Sequence, residues 1–140
     1  MSSKEKEINR KVLEYEYYKQ LLDNYQNEFT AITALLNEVD ATLTSLNELY
    51  KIRESQTELY TSLGSGSYLK VNLNKDNKIL LNIGAKIFVE YTLEQATNFL
   101  NRRKQKITES LENTSKVIRE LSLIVSRLEA ELAKLTESKE

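Results

Sequence analysis

The sequence predicts a mainly α fold, a long antiparallel two-helix coiled coil with two β-hairpins at its bend. Three observations carry this. Two apolar series of equal length run with a heptad period, the stretch between them switches to a period of two, and none of the 140 residues is proline. Proline removes a backbone donor and breaks a helix interior, so a chain without it can hold very long helices. The organisation expected is one domain over residues 1–140, with a first helix over 4–58, two β-hairpins over 59–91 and a second helix over 92–138.

The first series reads Ile8, Lys11, Tyr15, Tyr18, Leu22, Tyr25, Phe29, Ile32, Leu36, Val39, Leu43, Leu46, Tyr50. Spacings of three and four alternate over about six heptads, the pattern of a coiled-coil seam. Only Lys11 interrupts it. The second series runs Leu93, Thr97, Leu100, Lys104, Ile107, Leu111, Thr114, Ile118, Leu121, Val125, Leu128, Leu132, Leu135. Its polar members, Lys104 and Thr114 among them, read as devices that fix register or partner. Thr92-Leu93-Glu94-Gln95 fits a capping box at its start, and Ser2 with Glu5 fits one at the start of the first helix. Equal lengths put Ile8 opposite Leu135 and Tyr50 opposite Leu93, over an arm of roughly 63 Å.

Between the series, Leu69, Val71 and Leu73 alternate with polar residues, as do Ile79, Leu81 and Ile83, then Ile87, Val89 and Tyr91. A shorter extended piece over Leu59–Leu63 precedes Gly64-Ser65-Gly66-Ser67, and Asn74-Lys75-Asp76-Asn77 forms a polar turn. Four strands in two hairpins follow. A lone hairpin is marginal in water and leaves edges unpaired. Leu69, Val71, Leu73, Ile79, Leu81, Ile83, Ile87 and Val89 are therefore expected to join strands of other subunits, ideally in a closed barrel. Leu80 and Phe88 fall on the opposite faces and need cover too.

Composition narrows the function. Histidine and cysteine are absent, which removes the commonest acid–base, nucleophilic and zinc-binding groups, so no catalysis, metal or cofactor is expected. Gly64-Ser65-Gly66 lacks the ending of a phosphate-binding loop. A net charge of −1 argues against a nucleic-acid binder, and no apolar run is long enough for a membrane span, so a cytoplasmic protein is expected. Arg102, Arg103, Lys104 and Lys106 form the one basic cluster of note, read as a solvated face or as a contact to a partner.

The run Gly64-Ser65-Gly66-Ser67-Tyr68-Leu69-Lys70, then Lys78-Ile79-Leu80-Leu81-Asn82-Ile83-Gly84, Val89-Glu90, Gln95-Ala96 and Phe99-Leu100, resembles the α class of prefoldin (GimC) subunits, in archaeal rather than eukaryotic form. The order helix, two hairpins, helix is similar to that class, whereas β-class subunits carry one hairpin. The resemblance implies an ATP-independent chaperone in which two α and four β subunits share a double β-barrel. Their arms hold unfolded polypeptides at the tips for delivery to a group II chaperonin. The sequence departs from the family in lacking its usual proline near Tyr60-Thr61-Ser62-Leu63, and in having Lys86 where a second glycine is common.

For client binding the informative residues are apolar ones off the seam. Leu13 and Leu123 fall on the faces most remote from the partner helix, with Tyr17 beside Leu13. Val12, Leu21 and Ile124 flank the seam, where apolar residues ordinarily widen the buried stripe. These six are the expected client-binding residues. Two other functions stay open: a homo-oligomeric or filament-forming relative of the α class, and a structural tether without clients.

Overall fold

A computed structural model of the chain describes residues 2–53, 57–74 and 76–137. The order is α1 (Ser3–Ile52), β1 (Glu58–Gly64), β2 (Ser67–Asn72), β3 (Ile79–Gly84), β4 (Ile87–Tyr91) and α2 (Leu93–Glu137). Ser2 opens α1, its Oγ accepting from the Glu5 amide at 3.2 Å. Thr92 and Gln95 form the full capping box of α2. The Gln95 amide donates to Thr92 Oγ1 at 3.1 Å, and the Thr92 amide donates to Gln95 Oε1 at 3.0 Å.

The chain forms two compact units, one of residues up to Leu35 with those from Ile107 on, the other of Leu36–Lys106. In the first unit Leu22, Leu121 and Val125 are buried together, with Tyr15, Tyr18, Leu21, Tyr25, Val117 and Ile118 packed against them. Leu128 and Thr114 are buried there as well. Lys11, the interruption in the seam, reaches Glu131 at 2.6 Å, and Tyr15 donates to Glu129 at 3.2 Å. Those acids lie next to Leu132 and Leu128, the partners the antiparallel register assigns to Lys11 and Tyr15. In the second unit Lys104 meets Asp40 at 2.7 Å, beside its register partner Val39. Each charged seam position is thus neutralised by an acid on the facing helix.

The Lys11 ammonium, hydrogen-bonded to Glu131, holds that carboxyl below its ordinary value of 4.5. A depressed carboxylate stabilises the fold fully above its ordinary pKa and loses that contribution as pH falls through the lowered one. Glu131→Gln should therefore lower the melting temperature at neutral pH. The gap to the parent should close in acid, well below 4.5, as followed by circular dichroism.

Near the hairpins the seam departs from the strict heptad series. Leu49 is half-buried while Tyr50 is exposed, and Ala96 is fully buried where Thr97 is half-buried. Leu49 lines a small cavity with Leu73, Ile79 and Leu93, so at this end the helices pack on the hairpins as well as on each other. Helix α1 also ends at Ile52 rather than 58, and Glu58 already pairs with Asn72. Residues 54–56, 75 and 138, which the expected helices and turn include, lie outside the described residues. Thr57 explains the early end: its Oγ1 donates to the Ile52 carbonyl at 3.4 Å, and its own carbonyl accepts from the Leu73 amide at 2.9 Å. The Arg53 guanidinium pairs with Glu94 and lies over the Tyr50 ring at 3.9 Å, tying the end of α1 to the start of α2.

Strands β1–β2 and β3–β4 form two separate antiparallel two-stranded sheets. Their turns are built alike. Ser62 pairs with Tyr68 and Gly64 with Ser67, leaving Leu63 bulged; Asn82 pairs with Phe88 and Gly84 with Ile87, leaving Ile83 bulged. Ser62 Oγ and Asn82 Oδ1 each accept the amide of the glycine two residues on. Both residues of each two-residue loop have positive φ, 49° and 74° at Ser65 and Gly66, 49° and 60° at Ala85 and Lys86. Such loops match the twist of a hairpin and favour glycine at the second position. Lys86 occupies that position at a cost of about 1–2 kcal/mol for a left-handed side chain, so Lys86→Gly should stabilise the hairpin. Set against glycine's added chain entropy, the net gain should be about 0.5–1 kcal/mol, read as roughly two- to fivefold slower hydrogen exchange of the β3–β4 amides.

Candidate protein-interaction site

Apolar side chains stand exposed in both units, Leu35 and Tyr50 singly on α1 and the others in two sets. In the first unit Leu13 is 66%, Tyr17 63% and Leu123 72% exposed. Successive residues turn about 100° around a helix, so Leu13, Tyr17 and Leu21 form an oblique stripe leading from the outer face of α1 to the seam. Leu21 closes the stripe by packing on the core, and the Tyr17 ring meets Tyr18 edge-on at 5.1 Å. Leu123 occupies the outer face of α2. Val12 and Ile124 are half-buried beside the seam. Of the six residues named from sequence, the structure thus leaves Leu13, Tyr17 and Leu123 open to solvent and places Val12, Leu21 and Ile124 on the edges of the helix pair.

The second set is on the hairpins. In β3–β4, Ile79 pairs with Tyr91 and Leu81 with Val89 on one face. These four are half-buried. Tyr91 lies 6.0 Å from the Phe99 ring of α2, and Ile79 lines a small cavity with Leu49, Leu73 and Leu93. That face is turned to the chain's own helices. The other face presents Leu80, 64% exposed, and Phe88, 56% exposed. In β1–β2 both faces are open: Leu69 and Val71 on one, Tyr60 and Tyr68 on the other, with Leu63 at the bulge. Among the strand residues expected to meet other subunits, Leu69, Val71 and Ile87 are exposed. Leu73, Ile79, Leu81, Ile83 and Val89 are half-buried within the chain. Sequence reasoning does not single out Tyr60, Leu63 and Tyr68; the signal for Tyr60 and Tyr68 is the alternation itself, which puts them opposite the Leu69 and Val71 face. Among the described residues each strand has one neighbour only, so every strand offers an edge without a second strand beside it.

The prefoldin subunit family model matches residues 18–138. The chain belongs to the prefoldin family. Its curated relatives include the prefoldin subunit alpha of Methanosarcina acetivorans, 38% identical over 52% of this chain and 51% of that protein. The prefoldin subunit alpha of Archaeoglobus fulgidus is 27% identical over 94% of this chain and 95% of that protein. The chain thus spans about half the length of the first of these and nearly all of the second. Among solved structures, the filamentous PFD of Methanocaldococcus jannaschii superposes with a TM-score of 0.67 at 20% identity, covering 88% of this chain and 98% of that one. Two helices enclosing two hairpins, with relatives named prefoldin subunit alpha, make this an α-class prefoldin subunit.

Among the described residues no helix is long and apolar enough to cross a membrane. No group of three or more acids is placed to hold a metal ion among them either.

Proposed function

We propose that this prefoldin subunit is part of a cytoplasmic, ATP-independent chaperone. Its hairpins join other prefoldin subunits, two α with four β, and its outer apolar residues hold unfolded polypeptides for a group II chaperonin. The observation that carries the client-holding part is the exposure of Leu13, Tyr17 and Leu123 on helices that bury Leu22, Leu121, Val125 and Leu128. A helix pair that served only as a tether would gain nothing from leucine on its outermost faces, where water penalises it. Unfolded chains expose apolar segments that such side chains can cover without any defined sequence.

The test is aggregation of a denatured client in the presence of the assembled protein. Leu13→Ser with Tyr17→Ser should leave oligomer mass and helicity intact and reduce protection by roughly half or more, Leu123 remaining on the other helix. Unchanged protection by an intact oligomer would sink the proposal.

A second arrangement has the filamentous M. jannaschii PFD as its precedent. The open faces and free edges on both hairpins suit repeated addition of identical subunits as well as a closed hexamer. Light scattering of the chain alone, then with a β-class subunit, separates the two: long polymers in the first sample favour homo-assembly, and a discrete hexamer only in the second favours the mixed complex.

A further inference from the structure

A cleft of about 260 Å³ lies where α2 passes the β3–β4 hairpin, lined by Ile83, Phe99, Arg102, Arg103 and Lys106. The four helical residues stand at spacings of three, four and seven, so they share one face of α2. Arg103 is fixed in place. Its Nη2 donates to the Asn82 carbonyl at 3.0 Å, and its guanidinium lies 4.8 Å from the Phe99 ring. This contact also sets the bulged Ile83 as one wall. Arg102 and Lys106 are exposed, and neither has an acidic partner within 4 Å among the described residues.

Charge around the cleft is one-sided. Between Lys78 and Lys106 there are six lysines and arginines and two acids, in a chain of net charge −1. Of those two acids, Glu94 is taken by Arg53, and Glu90 pairs with Leu80 on the hairpin face turned away from the helices. The neighbouring Lys104 is already satisfied by Asp40. What remains is an apolar floor with two uncompensated cations at its mouth.

We propose that this cleft docks an acidic segment of a partner protein, an apolar side chain entering between Ile83 and Phe99 and the adjoining carboxylates pairing with Arg102 and Lys106. Guanidinium binds carboxylate in a bidentate fork, and the apolar wall strengthens the pair by excluding water. The volume suits one or two side chains. A nucleic-acid backbone would instead require cations spread along a path. A second copy of this chain is a poor occupant, because nowhere in its sequence do two acids stand side by side.

The test uses the assembled full chain and a labelled short peptide carrying a leucine followed by a run of glutamates, with fluorescence anisotropy as the readout. Controls are the same peptide with glutamines and an oligouridine of similar length. Binding of the glutamate peptide alone, weakened by salt and by roughly tenfold or more in Arg102→Gln with Lys106→Gln, is the result expected. No binding by the parent, equal binding by the double variant or the glutamine peptide, or displacement of the peptide by the RNA would each overturn it. Oligomer mass and aggregation protection should be the same in parent and double variant, so failure here is separable from failure of the chaperone reading.

Discussion

Leu128→Ala should lower the stability of the helix pair by about 2–4 kcal/mol. Leu128 is 2% exposed and is the largest fully buried side chain among the described residues. Removing most of the leucine side chain loses its transfer free energy and leaves a cavity between helices that cannot close without moving the neighbouring seam layers. The appropriate contrast is Leu123→Ala, the same chemical change on the same helix at 72% exposure, which should stay within about 0.5 kcal/mol of the parent. Urea unfolding at one fixed protein concentration checks both, since assembly makes apparent stability depend on concentration. A shift in midpoint at constant slope marks a true loss of stability. Similar costs at the two sites would mean that the seam does not run where the structure puts it.

That contrast shows which parts of the fold are legible in the sequence. A heptad pattern assigns each residue an angle around the helix, and this angle alone separates Leu128 on the seam from Leu13 and Leu123 on the outer faces. Equal series lengths supply the antiparallel register, which Leu22 with Leu121 and Lys104 with Asp40 follow to within a residue. The departures cluster at the hairpin end. Arg53, Glu54, Ser55 and Gln56 contain no glycine or proline, so nothing in composition announces that α1 stops at Ile52; the stop is made by Thr57 and by pairing in the sheet. A fixed heptad count carried to Tyr50 misses Leu49, which lines a cavity with Leu73, Ile79 and Leu93 and so answers to the hairpins as well as to the facing helix. The two faces of β3–β4 are the hardest to rank. Leu80 and Leu81 are adjacent and equally apolar, and only the packing of Ile79 and Tyr91 near the helices decides which face is left open.

Leu80→Ser with Phe88→Ser should for that reason disrupt assembly more than any pair drawn from the half-buried strand residues. The two side chains share the face of β3–β4 that the chain leaves uncovered, and together they offer the largest apolar surface on that hairpin. Large apolar anchors at the centre of an interface cost roughly 2 kcal/mol or more each on truncation. The double change should raise the dissociation constant for subunit association by roughly three orders of magnitude. Light scattering should then show the chain falling to a lower mass while far-ultraviolet circular dichroism stays helical, because α1 and α2 keep their seam. Leu81→Ser with Val89→Ser attacks the other face and predicts a different outcome: the hairpin loosens from its own helices, and its amides exchange faster even in the unassembled chain. If the first pair leaves the mass unchanged and the second dissolves the complex, the inward face is the one that other subunits cover, and the assignment of the two faces must be reversed.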